Sequence, residues 1–94
     1  MIMYKLKFTA AYQRGYKRAK KRGLNIDLLD AVVEELRNGR KLDAKYRDHA
    51  LHGNFKDFRE CHIQSDWLLI YLVENDILTL TLTDTGTHSD IFDE

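Results

Sequence analysis

Four histidines, His49, His52, His62 and His88, fall within three short polar segments in the second half of the chain: DHALHG, RECHIQSDW and TGTHSDIF. Imidazole has the side-chain pKa nearest neutrality, so three such segments converging in a fold make either an acid–base site or a metal site. A third possibility is blander: each histidine satisfies only its own loop.

The zinc reading rests on the two-residue spacing between His49 and His52, the adjacent Cys61 and His62, and His88 as a further nitrogen donor. Against it, one cysteine provides no CxxC pair. Neighbours on a strand point to opposite faces, so Cys61 and His62 are not expected to reach one ion. No metal and no cofactor are therefore expected. His52 sits beside Gly53 in an apparent turn and reads as a turn residue. What remains for metal-free acid–base chemistry is His49, His62 and His88 with Asp66. Asp66 ends a turn between two strands and His88 follows the last strand after Gly86, at element ends where sites are commonly displayed.

The elements that must hold these residues are legible from periodicity. Met3 to Phe8 alternates, with Tyr4, Leu6 and Phe8 on one face and Lys5 and Lys7 on the other, as in a half-buried strand. Thr9 is a helix cap, Tyr12, Tyr16 and Ala19 form the apolar face of the helix that follows, and Gly23 ends it. A second helix starts near Asn25 or Asp27, carries the stripe Leu28, Leu29, Val32, Val33 and Leu36, and stops at Asn38-Gly39. Residues 40 to 54 lose all periodicity and read as a loop. Strands are expected over Phe55 to Ile63, Trp67 to Val73 and Ile77 to Thr83, with Asn75-Asp76 as a tight turn. The expected architecture is α+β: two N-terminal helices packed on a small, mainly antiparallel sheet, in the order β-α-α-β-β-β.

Ninety-four residues suit one domain spanning 1–94. The longest apolar run, Trp67 to Val73, is far shorter than the roughly 20 residues that cross a bilayer. With Lys5 and Lys7 where a signal peptide needs its apolar stretch, a cytoplasmic protein with no membrane association is expected. A net charge of zero conceals two halves: residues 1–47 carry thirteen Lys and Arg against five acids, and residues 48–94 carry two against ten. The run Arg14, Lys17, Arg18, Lys20, Lys21, Arg22 is either a solvated helix face or a surface for phosphates or an acidic partner.

Several motifs occur together and in order: Asp48-His49, Leu51, Gly53, Arg59-Glu60, His62, Asp66-Trp67, the strand Leu69-Ile70-Tyr71, and Thr85-Gly86-Thr87-His88-Ser89-Asp90 followed by Phe92. This set resembles the YafQ-like toxins of the RelE/ParE superfamily of bacterial toxin–antitoxin systems. The resemblance implies a ribosome-dependent mRNA endonuclease that enters the ribosomal A site, cuts the message and is held inactive by a cognate antitoxin. By the same resemblance His49, His62, Asp66 and His88 are catalytic, and Glu60 and Phe92 support the site. Lys45, Arg47, Lys56 and Arg59 are the candidate RNA-binding cations. Ser65 and Asp84 depart from the family pattern, which often has Pro and Arg there, and Asp84 removes a possible phosphate contact. The competing class is a non-catalytic ParE-like toxin that binds DNA gyrase, which has no need of the histidine set. A degraded toxin that only binds its antitoxin is a third reading.

Overall fold

Thr9 joins the first strand to the first helix. In the computed structural model, which describes residues 3–92, β1 (Lys5–Phe8) ends at Thr9, whose Oγ1 accepts from Tyr12 N at 3.0 Å and whose hydroxyl donates to the Thr83 carbonyl at 2.5 Å. One bond caps the free N–H groups of the first helical turn and the other ties that turn to the sheet. The helix, α1 (Ala10–Lys21), buries Tyr12, Gly15 and Ala19. Gly23 at φ +76° makes the stop. Asn25 then caps α2 (Ile26–Arg37) by accepting from Asp27 N, and α2 buries Leu29, Val32, Val33 and Leu36.

The rest of the chain forms β2 (His49–Ala50), β3 (Arg59–Gln64), β4 (Trp67–Glu74), β5 (Thr79–Gly86) and a short helix, α3 (His88–Phe92). The sheet order is β1-β5-β4-β3-β2. β1 runs parallel to β5 and the other pairs are antiparallel. The expected β-α-α-β-β-β order is present with one strand more, β2, and a short helix, α3, after the last strand. Residues 40–54 are not simply a loop: they hold β2, with single 3-10 turns at Ala44–Tyr46 and Gly53–Phe55. Two residues are too few to show an alternation, and β2 exists because it pairs with β3, His49 opposite Glu60. Strand limits also move: β1 begins at Lys5 rather than Met3 and β5 at Thr79 rather than Ile77. β3 begins at Arg59 rather than Phe55, and β5 continues to Gly86, so Asp84 and Thr85 belong to the sheet rather than to a following loop.

One face of the sheet carries Cys61, Ile63, Trp67, Leu69, Tyr71, Leu80 and Leu82 into a core shared with Tyr12, Ala19 and the α2 stripe. Phe8, expected on this face, is instead 50% exposed and stacks on Tyr12 with ring centres 5.9 Å apart. β1 pairs with only Thr79–Leu82, so the end of β5 is covered by α1. The approach is close: a Cβ on Gly15 would lie 2.2 Å from the Thr85 carbonyl oxygen. Thr85 is fully buried, its Oγ1 accepting from Trp67 Nε1 at 3.1 Å and donating to the Leu68 carbonyl at 2.7 Å. This bond pair fixes the end of β5 just before the segment that carries His88.

Candidate active site

Strand alternation that sends Cys61 and Ile63 into the core sends Glu60 and His62 to the opposite face. Burial pushes the Cys61 thiol up to about 12, so it is an inert core residue. The Glu60 side chain is only 6% exposed, and three imidazoles surround it. The distance to Glu60 Oε1 is 3.8 Å from His49 Nε2, 3.4 Å from His62 Nε2 and 4.0 Å from His88 Nε2. The rings form a row, His49 to His62 and His62 to His88 each 6.2 Å between centres. β2 thus brings His49 beside β3, β3 itself supplies His62, and α3 supplies His88.

Each ring is oriented from its other nitrogen. His49 Nδ1 lies 2.7 Å from the Arg47 carbonyl and His62 Nδ1 lies 3.4 Å from the Ser65 carbonyl. A carbonyl only accepts, so Nδ1 carries the proton in both rings and Nε2 faces Glu60. Arg47 makes its contact from a left-handed backbone, φ +49°, an uncommon conformation for a non-glycine residue. Asp66, in the β3–β4 turn, does the same for His88: its Oδ1 accepts from His88 N at 3.0 Å and from Nδ1 at 2.7 Å. The backbone N–H and then the ring of His88 hold the Asp66 carboxyl below its ordinary range.

A capping box starts α3. Thr87 N donates to Asp90 Oδ2 and Asp90 N donates to Thr87 Oγ1, both at 3.0 Å. The same carboxylate accepts two bonds from Arg22, at 2.7 and 3.2 Å, and lies 3.5 Å from Arg18 Nη1. Arg22 above all drives the Asp90 carboxyl far below its usual range. A Cβ on Gly86 would stand 2.9 Å from Asp90 Cβ, so this junction also needs a residue without a side chain. Two members of the basic run on α1 therefore hold the helix that presents His88. Phe92, one turn on, lies 6.2 Å from the His88 ring and meets Phe55 edge-on at 5.4 Å.

The candidate cations separate into two groups. Lys45 and Arg47 line a groove of about 470 Å³ with Tyr46, Gln64, Ser65 and His62, so the groove opens directly onto the histidine row. Arg59 is bonded through Nε to Asp48 at 3.2 Å, and Asp48 also accepts from the Tyr71 hydroxyl at 2.5 Å. Lys56 is exposed next to the Gly53–Phe55 turn. His52 stands outside the row, at the start of that turn. Asp84 lies opposite Ile70 in the sheet; burial raises its pKa, opposed by the Thr85 N–H, Arg18 and Arg14. The sequence reading missed the carbonyls of Arg47 and Ser65, which no side-chain motif could disclose. It also missed the anchoring role of Asp90, although Thr-x-x-Asp at 87–90 is a readable capping signal. A groove of about 590 Å³ between β1, α1 and α2 is lined by Leu6, Phe8, Tyr12 and Tyr16 among others and contains none of the histidines.

Known proteins share this sequence and fold. The profile of the family described as bacterial toxin of type II toxin–antitoxin system, YafQ, matches residues 4–93. The mRNA interferase toxin YafQ of Escherichia coli K12 is 33% identical over 93 residues, covering 98% of this chain and 99% of the relative. A copper-bound mutant toxin from Helicobacter pylori superposes with a TM-score of 0.90 at 38% identity, covering 96% of this chain and all of that one. The toxin in the Escherichia coli DinJ-YafQ toxin–antitoxin complex gives 0.88 at 33% identity, over 97% of this chain and 99% of that one.

Proposed function

This chain belongs to the YafQ family of bacterial toxins of type II toxin–antitoxin systems, and from that premise we propose that it is a ribosome-dependent mRNA endonuclease. The observation that carries the reading is the row His49, His62 and His88 around one buried carboxylate, with Asp66 bonded to the last of them.

RNA brings its own nucleophile, the 2′-hydroxyl beside the phosphorus. In the proposed reaction the 2′-oxygen bonds to phosphorus and the bond from phosphorus to the 5′-oxygen breaks. One group takes the 2′ proton and another returns a proton to the departing 5′-oxygen. His49 suits the base: its Nδ1 is committed to the Arg47 carbonyl, which leaves Nε2 to accept. His88 suits the acid, because the Asp66 carboxylate supports the imidazolium at Nδ1 while Nε2 donates. Asp66, occupied by two bonds from His88, is a positioning residue rather than the base. His62 lies between the two and faces the phosphoryl oxygens, Glu60 balances the charge of the protonated rings, and Phe92 offers a face for base stacking. Lys45 and Arg47 line the groove along which the message would enter. The copper of the Helicobacter pylori relative has no part in this scheme, in which nucleophile and protons come from RNA and imidazole.

The partners follow the family: the ribosome with mRNA in its A site, and an acidic cognate antitoxin, as DinJ is found with YafQ in Escherichia coli. The test is mRNA cleavage on programmed ribosomes. His88→Ala and His49→Ala each reduce cleavage at least about tenfold with the melting temperature retained; full cleavage by both variants would refute the assignment.

A further inference from the structure

The histidine row has a direction. In the reaction proposed above, His49 takes a proton from the 2′-oxygen of the nucleotide before the cut, and His88 returns one to the 5′-oxygen of the nucleotide after it. The two ends of the row therefore face different nucleotides. On the His49 side lies the groove of Lys45, Tyr46 and Arg47, and on the His88 side come aromatic rings. Phe92 lies 6.2 Å from His88, Phe55 meets Phe92 at 5.4 Å, and Phe58 meets Phe55 at 6.5 Å.

Phe55 has no part in the mechanism so far, and it is 42% exposed although large and apolar. Its ring stands at 89° to that of Phe92, so one base cannot lie flat on both. The turn that carries it is braced. Leu51 N donates to Phe58 O, Phe55 N to His52 O, Lys56 N to Gly53 O and Phe58 N to Phe55 O. Gly53 closes the turn at φ +64°, where a side chain is strained. A ring held this firmly loses little freedom when a base stacks on it. A ring needed only to hold α3 would gain more from burial. Lys56, next in the chain, is exposed and puts a cation on the same turn.

We propose that Phe55 is a second stacking platform, which takes the base of the second nucleotide 3′ of the cut while Phe92 takes the base of the first. The message then runs from the Lys45–Arg47 groove on its 5′ side to the Phe55 turn on its 3′ side, with Lys56 at a backbone phosphate beside that turn. Every base has a π-face, so the platform holds the strand in register across the histidine row whatever the base. The platform rests on the endonuclease reading above.

The cut is first mapped with the parent chain on programmed ribosomes, and messages are then made with an abasic residue at the second position after it. On the intact message Phe55→Leu lowers kcat/KM at least about fivefold, the low end of base–aromatic stacking, and Phe55→Tyr retains most of it. On the abasic message the parent chain is slowed and Phe55→Leu costs nothing further. Lys56→Ala costs the same on both messages, as a phosphate contact should. Binding is read apart from chemistry on a message made uncleavable by a 2′-methoxy group at the cut. With 2-aminopurine at the second position after it, the parent chain quenches the fluorescence and Phe55→Leu does not. Melting temperatures of the variants show that folding is intact. Equal losses by Phe55→Leu on intact and abasic messages, or equal quenching by both chains, overturn the platform and leave Phe55 a packing residue for α3. A loss that vanishes only with the abasic residue at the first position overturns the register. A parent chain that cuts no ribosome-bound message refutes the endonuclease reading itself, and the platform falls with it.

Discussion

Removing the Asp90 carboxylate separates the docking of α3 from the stability of the domain. In Asp90→Ala, Thr87 N loses its acceptor, and Arg22 and Arg18 lose the anion that holds them. Loss of a helix cap costs about 1 kcal/mol, and an exposed ion pair adds little, so the helix is released by roughly 1–2 kcal/mol. That is a factor of about 5–30 in a local equilibrium. None of the α3 residues is fully buried, so the core keeps its contacts. Cleavage should therefore fall by up to roughly 5–30-fold, while the melting temperature drops by less than the roughly 4–16 °C that the same 1–2 kcal/mol would cost in the core. Hydrogen exchange should accelerate at the Ile91 amide, which donates to Thr87 O, and remain slow in β4 and β5. Arg22→Ala should give a milder loss, and adding it to Asp90→Ala should give less than the product of the two. The reasoning is refuted if Asp90→Ala cleaves at the wild-type rate, or if exchange rises equally throughout the sheet.

Thr85→Val should lower the melting temperature by roughly 5–15 °C in a calorimetric scan, because the buried Trp67 N–H loses its acceptor at about 1–3 kcal/mol; Thr85→Ser should restore most of it. Asp84→Asn should raise the melting temperature at pH 7. Since burial raises the Asp84 pKa, its ionised form opposes folding, and the advantage of Asn should shrink as pH falls through that raised value. Asp66 and Asp90 have the opposite sign. Their pKa values are lowered, so the stability they contribute is present above the ordinary carboxylate value of about 3.9 and is lost only as pH falls through the lowered ones. Acid titration of Asp90→Asn should show a flatter loss of stability below about pH 4 than the parent chain.

The first two helices were legible because their signals are local, whereas the short α3 was not foreseen. Thr9 and Asn25 cap, Gly23 and Gly39 stop, and the apolar stripe of α2 faces the core as its spacing requires. β2 was not legible, since a two-residue strand is defined by its partner. The same distinction runs through the candidate site. Alternation on β3 was enough to separate Cys61 from His62 and to direct Glu60 and His62 together. What orients the rings lay beyond it: the Arg47 carbonyl depends on a left-handed backbone at a residue with no side-chain reason to adopt one. The basic run on α1 misled in part, since Arg18 and Arg22 are directed at Asp90, a residue from the other end of the chain. Charge patterning shows that cations are present, and only the fold shows which are already engaged.

The sheet order has a consequence for the birth of the molecule. β5 is the last strand to leave the ribosome that makes it, yet it lies between β1 and β4. Until it emerges, β1 has no neighbour, and α1 has no Thr85 carbonyl to pack against. The nascent chain therefore holds a β2–β4 meander with α1 not yet packed on its main partner and His88 not yet in place. Pairing across more than 70 residues is also slow, because loop closure precedes the contacts that reward it. An enzyme built this way would thus be inert throughout its synthesis, gaining its histidine row only as the chain closes.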